Sequence, residues 1–350
     1  MVEILLKDSM TTIQKKLNKG GDIHFQPGIY KITRQLIIPA NTILHLYGAV
    51  LKRCGNIQSV FLNKCKTSTK QYNGAGNIRF LGGTIEGMGG YSYDNLITFF
   101  HSHDIELNGV TFLDTLCHAV ELNACQNVVI KGCMFKGSNT KDAYKEVIQL
   151  DTAYTTGFWL EGSSKKSKCY DGTTCNNISI TNNTFTRSDY RKHPTACIGT
   201  HTQIINGKHH TDIKILQNYF VCNGGNCISL IGMKDVQIFS NYFKGCSRAI
   251  KIFNKEESYT LTGELVKPGV MDGLVDNVKI VDNVCEEATG SVKCSGIYID
   301  NINAAHIDVY SNKFVRASEF EKYYLCVVNC QQPPSIDVKN NQSQLRIKGL

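Results

Sequence analysis

Charge is scarce in this chain: 19% of its 350 residues are Asp, Glu, Lys or Arg, against 42% hydrophobic. That balance excludes a disordered tail. No run approaches the ~20 apolar residues of a membrane-spanning helix. The opening "MVEILLKDSMTTIQ" lacks the hydrophobic core of a signal peptide, so the chain is expected to fold in the cytoplasm unless an upstream portion precedes it. Zinc-finger spacing and compact basic runs interleaved with aromatics are missing, which argues against nucleic acid as a partner. Coiled-coil heptads are missing too, so nothing in the pattern supports trimerisation. Six prolines and one tryptophan stand against 30 glycines and abundant asparagine, a balance that favours many short strands joined by turns.

The length exceeds that of a typical single domain but suits an elongated all-β one. The formal charge of +8 is spread along the chain; it reads either as a solvated surface or as attraction to an anionic polymer. The 15 cysteines are irregularly spaced. Cys117, Cys125, Cys133, Cys197, Cys222, Cys227 and Cys246 sit in or beside apolar strand patterns, as small buried hydrophobes in a reducing cytoplasm would. Cys169 and Cys175 in "CYDGTTC" are close enough in sequence for a loop disulfide.

One pattern recurs along the chain: a small polar residue followed by apolar and polar residues in alternation. It appears as "NIRF" at Asn77, "DIEL" at Asp104, "NVVI" at Asn127, "NISI" at Asn177, "DIKI" at Asp212, "DVQI" at Asp235 and "NVKI" at Asn277. Most are followed by an asparagine two residues before a phenylalanine, as at Phe185, Phe220, Phe243 and Phe314. A unit of roughly 22 residues with insertions cannot bury its apolar face alone, so the units must stack. Three short strands per unit predict an all-β parallel β-helix, with an asparagine ladder at a tight turn and a phenylalanine ladder in the core. "TTIQKKLNKG" predicts a short helix over the open end, capped at Thr11 or Thr12 and stopped at Gly20.

Nearly the whole chain, from "GGDIHFQPGIYKITRQLIIPANTILHLYGAVL" through "NIRFLGGTIEGMGG", resembles the pectate-lyase-like right-handed parallel β-helices. "HAVELNACQNVVIKGCMFKG", "KEVIQLD" and "CIGTHT" most resemble tail-associated or cell-wall-directed polysaccharide depolymerases. The resemblance implies one solenoid domain over residues 1–350, with 1–50 as N-terminal cap and first coils and 152–176 as a long groove loop. It also implies action on a polysaccharide outside the cell, with attachment to a virion or a homotrimer as the associated assemblies.

Aligning one strand from each unit on its buried residues gives two outward columns, by the period of two. One reads Thr98, Glu121, Gln149, Gly199, Ser229, Lys251, Tyr298; the other Phe100, Asn123, Asp151, His201, Ile231, Phe253, Asp300. The inward set includes Ile198 and Thr200. Glu121 and Asp151 supply the pair of carboxyls that glycosidic cleavage needs, one as acid and one as base or nucleophile, with His201 beside Asp151 to tune or carry the proton. Glu146, in a turn column with His118, is a further candidate carboxylate or a structural group. Gln149, Asn123, Trp159, Lys251, Arg248 and Tyr298 are candidate substrate contacts.

The insertion after Asp151 is expected to wall the groove with Tyr154, Phe158 and Trp159, or to use these rings to pin itself down. His209 and His210 follow His201 and are within reach of the site in sequence, but the histidines lack metal-ligand spacing, so no metal is expected. The Asp-Asp pair of polygalacturonase-type hydrolases does not occur here, although "RAIKIF" resembles their substrate-binding strand. Hydrolysis without a cofactor is the first expectation. A lyase, with calcium as its possible cofactor, is the second, and a non-catalytic glycan-binding adhesin the third.

Overall fold

The computed structural model describes residues 1–87, 95–138, 146–155, 160–200, 208–222, 224–254, 258–259, 265–266, 275–286, 294–302, 305–315, 323–330, 334–343 and 346–348. Successive strands are dealt in turn to three parallel sheets of 12, 11 and 11 strands, here sheets I, II and III, giving a right-handed parallel β-helix. In one coil, Gln126–Lys131 lies in sheet I, Met134–Ser138 in sheet II and Ile148–Asp151 in sheet III. Asn176–Thr181 then returns to sheet I, setting Ile178 against Val128 and Ile180 against Ile130. A short antiparallel pair, Ser258–Tyr259 with Leu265–Val266, stands outside the solenoid sheets. No helix among the described residues is long and apolar enough to cross a membrane.

The recurring small polar residue has a backbone reason. Asn77, Asp104, Asn127, Asn177, Asp212, Asp235 and Asn277 all adopt positive φ, between 49° and 57°. Asn and Asp tolerate the left-handed region far better than β-branched residues. They bend the chain into each sheet I strand.

The tight turn from sheet I to sheet II holds the asparagine ladder. A residue at positive φ (Asn182, Gln217, Ser240, Asp282, Ser311) precedes each ladder asparagine. Asn218 Oδ1 accepts from both the backbone N and Nδ2 of Asn183, each at 3.0 Å. Asn218 Nδ2 donates to the Ile180 carbonyl at 2.8 Å and to Asn241 Oδ1 at 3.0 Å. Asn241, Asn283 and Asn312 repeat the arrangement although the sequence steps vary from 23 to 42 residues. The bonds at the turn are the same whether the step is 23 or 42 residues. Beside it, Phe112, Phe135, Phe185, Phe220 and Phe243 stack in the core with centroids 4.6 to 4.9 Å apart.

The helix spans Met10–Leu17 and buries Ile13 and Leu17 against the first coil. Its cap is Ser9, two or three residues before the Thr11 or Thr12 proposed, because the Ser9 hydroxyl accepts from the Thr12 amide at 3.2 Å. The Cys169–Cys175 disulfide that the spacing allowed does not form: both thiols are free and buried. Cys175 sits in the core, its thiol donating to the Leu122 and Asp151 carbonyls, while Cys169 packs outside sheet III. Most of the described cysteines are free, as expected, but Cys222 and Cys227, two of those read as small buried hydrophobes, are bonded to each other.

Replacing Asn218 with Ala removes the partners of Asn183, Asn241 and the Ile180 carbonyl together. We expect a loss of about 3 kcal/mol in urea unfolding. A loss below ~1 kcal/mol would mean that the ladder is decoration and the phenylalanine stack alone sets the register.

Candidate functional site

Sheet III carries the candidate columns in the expected register. Thr98 pairs with Glu121, Glu121 with Gln149, Gln149 with Gly199, Ser229 with Lys251, and Lys251 with Tyr298. Asn123 pairs with Asp151 and Phe253 with Asp300. Glu121 and Asp151 therefore sit on adjacent strands, two residues apart along them, a backbone diagonal of ~8 Å.

The face is not open to solvent as its outward parity suggested. Thr98, Glu121, Asn123, Gln149 and Asp151 are at most 3% exposed. Part of the reason is visible in the chain after Asp151. Ala153, Leu160, Cys169 and Tyr170 pack with Leu62, Phe100 and Ala124 into a second apolar cluster on the outside of sheet III. This segment is latched to the loop before it: Tyr72 donates to the Thr174 carbonyl at 3.0 Å, and Asp171 accepts from the Gln71 amide at 2.8 Å. The His101 ring meets the Cys169 and Gln71 carbonyls, each at 2.5 Å. Tyr154 is buried as well, so among the described aromatics of the insertion, pinning prevails over display.

Under that cover each carboxylate is held by neutral donors. Glu121 accepts from Thr98 Oγ1 at 3.2 Å and from Asn95 Nδ2. Asp151 accepts from Gln149 Nε2 at 2.5 Å and from Thr200 Oγ1 at 3.2 Å. Thr200 corrects an inward assignment. Its strand ends at Gly199, so the period of two no longer fixes its direction, and its hydroxyl turns to Asp151. Asn123 is fully buried with both amide atoms unbonded. Neither Thr98, which the aligned column placed one strand from Glu121, nor Asn95 is among the site residues expected from the sequence.

Glu146 is 4% exposed at the edge of this face, and its carbonyl meets the His118 ring nitrogen at 2.5 Å. His118 thus has the turn-bonding role proposed for that column. At the C-terminal end, the Arg248 guanidinium lies over the Tyr298 ring at 4.1 Å and Lys251 Nζ over the Phe253 ring at 3.5 Å. His201, Phe158 and Trp159 lie outside the described residues. His210 does not reach the site: it opens a sheet I strand, 3% exposed, with Nδ1 accepting from the Cys175 amide at 3.0 Å. His193 Nδ1 likewise accepts from the Arg187 amide at 3.0 Å.

Two groups of possible metal ligands occur among the described residues, Cys197 with Cys222 and Cys227, and Asp22 with His24 and His45. Two of the three cysteines are bonded to each other. The two imidazoles stack at 4.0 Å with planes 8° apart, so a single ion cannot lie in both ring planes. Cys197 and Cys227 lie on sheet III strands but pack in the apolar core, and Asp22, His24 and His45 lie on sheet I.

No family model matches the chain. It is 26% identical over 293 residues to plasmin and fibronectin-binding protein A of Streptococcus pneumoniae (strain ATCC BAA-255 / R6), a match covering 75% of this chain. The chain spans about 40% of the length of that relative. Among solved structures, the Streptococcus pneumoniae surface protein and adhesin PfbA superposes with a TM-score of 0.71 at 19% identity, covering 99% of each chain. The polygalacturonase of Erwinia carotovora ssp. carotovora gives 0.56 at 14% identity, over 100% of this chain and 94% of that one. The tailspike protein of E. coli bacteriophage HK620 gives 0.60 at 13% identity, over 95% and 63%. The fold is that of the pectate-lyase-like parallel β-helices.

Two outcomes follow from these burials. Burial, reinforced by the neighbouring His209, pushes the His210 pKa from 6.5 down to about 3. The unfolded chain takes up a proton that the folded one refuses, so stability is full above about 6.5 and falls as pH drops toward about 3. Between pH 7 and 5 this histidine accounts for a loss of ~2 kcal/mol in urea unfolding, which His210→Gln removes; an unchanged slope in the variant contradicts the assignment. Asn123→Leu keeps the branched shape and the number of side-chain heavy atoms and deletes an unbonded amide, so it raises stability by about 1 kcal/mol. A loss of similar size would show that the amide is bonded in solution.

Proposed function

We propose that this chain acts on a polysaccharide and cleaves it as a glycoside hydrolase at the sheet III face. The observation that carries this reading is the pair Glu121 and Asp151 on adjacent strands, each held by hydroxyl and amide donors. One carboxyl, protonated, gives its proton to the glycosidic oxygen. The other, ionised, takes a proton from water or attacks the anomeric carbon. Gln149 orients Asp151, while Asn123 offers an amide to a sugar hydroxyl. Lys251, Arg248 and Tyr298 extend the face toward the C-terminal coils, and Glu146 is the reserve carboxylate at its edge. His201 and Trp159 remain candidates by their sequence positions. The polygalacturonase and tailspike likenesses support a glycan-handling scaffold. Both carboxylates are covered in this state, so cleavage requires the cover to open.

A second reading, a non-catalytic adhesin, is favoured by the likeness to the pneumococcal surface adhesin and by that same burial. Elimination has less support, because Lys251, the basic residue proposed for proton removal, has its ammonium over the Phe253 ring. A surface or virion setting, a trimer, and calcium in the lyase case belong to these readings as proposals.

Bacterial wall glycans and uronate polymers are incubated with wild type, Glu121→Gln and Asp151→Asn, following reducing ends and the ultraviolet absorbance of unsaturated uronate. Hydrolysis predicts new reducing ends without absorbance, lowered at least ~100-fold in either variant. Absorbance would replace the hydrolase with a lyase. Binding without product across the panel would establish the adhesin.

A further inference from the structure

The N-terminal end of the same face is open. Two clefts, of about 550 and 720 Å³, share Gln35, Ile37 and Lys64 and so form one trough. Its floor is the outer side of Leu36–Ile38 and Ser59–Asn63, the first strands of sheet III. The helix Met10–Leu17 forms one bank, and Leu160–Gly162 of the insertion forms the other.

The charges on the trough are one-sided. Lys15, Arg34, Lys64 and Lys66 line it and are exposed, with Glu161 the one carboxylate among the lining residues. Among the described residues, none of these four cations forms an ion pair. Some lysines elsewhere are neutralised across strands, as Lys131 is by Glu106 at 2.9 Å and Lys52 by Glu86 at 2.8 Å. Four uncompensated cations around one concavity raise the local concentration of anions.

The floor is fixed. The Gln14 amide satisfies the exposed backbone of the edge strand in both directions, donating to the Ile37 carbonyl at 2.8 Å and accepting from its amide at 2.9 Å. Gln35 Nε2 donates to Ser59 Oγ at 2.7 Å. Register carries the trough to the candidate site, since Ile37 pairs with Leu62, Leu62 with Thr98, and Thr98 with Glu121. Three strand spacings, ~14 Å, separate the Ile37 and Glu121 positions.

We propose that this trough binds the anionic groups, sulfate or carboxylate, of a glycan whose chain runs along the helix axis toward Glu121. Lys15, Arg34 and Lys64 pair with these groups, and Lys66 stands nearer the covered face. The proposal rests on the glycan reading for its ligand class, but it needs neither the cover to open nor cleavage to occur.

The test is equilibrium binding of the full chain to three oligosaccharides of similar length: heparin-derived, galacturonate and neutral maltose-type. Wild type is compared with the triple variant Lys15→Gln, Arg34→Gln, Lys64→Gln and with a control, Lys279→Gln, Lys313→Gln, on the other two sheets. Binding of at least one anionic oligosaccharide, weakening with salt, is expected, with at least ~10-fold loss in the triple variant and little change in the control. Whether the sulfated or the uronate ligand binds names the anion. The proposal is overturned if the neutral ligand binds equally, if the triple variant binds like wild type, or if the control loses as much. Binding that persists where wild type cleaves nothing keeps this proposal and sinks the hydrolase.

Discussion

From Asn183 to Asn341 each coil must lie in register on its neighbour, and the asparagine ladder is the interaction that enforces it. Parallel strands specify register weakly when the hydrophobic pattern is uniform, because a slip of two residues preserves each strand's faces. A ladder in which each side-chain oxygen accepts from the asparagine of the adjoining coil allows one alignment. The stacked phenylalanines then fall over one another, and the outer columns of sheet III become continuous. Glu121 adjoins Gln149, and Asn123 adjoins Asp151, in the two coils just before the ladder's first asparagine, where Asn183 accepts from the Cys133 amide and the phenylalanine stack continues through Phe135 and Phe112.

That division of labour lets the chain insert residues without losing its frame. The steps between ladder asparagines differ by almost a factor of two, from 23 to 42 residues. The described part of the insertion after Asp151 builds an apolar cluster on the outside of sheet III and contributes to the cover over a buried polar layer. Buried carboxylates need partners, and here they have them in Thr98, Asn95, Gln149 and Thr200. A sealed polar layer next to an open basic trough divides the face into a part that is preorganised and a part that is accessible. Glycan capture at the trough is compatible with both an enzyme and an adhesin; cleavage at the layer is not.

The solenoid was legible because its determinants are local. The positive-φ Asn and Asp residues, the asparagine two before phenylalanine and the period of two each mark a backbone event, and each recurs often enough to align. The same alignment ordered the sheet III columns correctly. It could not show that the columns are covered, since the cover comes from residues such as Leu160 and Tyr170 whose partners, Leu62 and Phe100, are distant in sequence. Thr200 was misdirected because parity holds only within the strand, which stops at Gly199. Ser9 lost its place to the threonines because a cap depends on one hydrogen bond, not on composition. The trough escaped notice for a related reason: Lys15, Arg34 and Lys64 belong to different elements, and only the folded end brings them around one concavity.

The most direct test of the account is a crystal structure of Asp151→Asn with an anionic oligosaccharide that the wild-type chain binds. The account predicts a glycan lying along sheet III, its acidic groups at Lys15, Arg34 and Lys64 and its chain directed at Glu121, with the 160–175 segment displaced where sugar reaches the carboxylates. A glycan bound on sheet I or II, or across the strands of sheet III away from Glu121 and the trough, would contradict it.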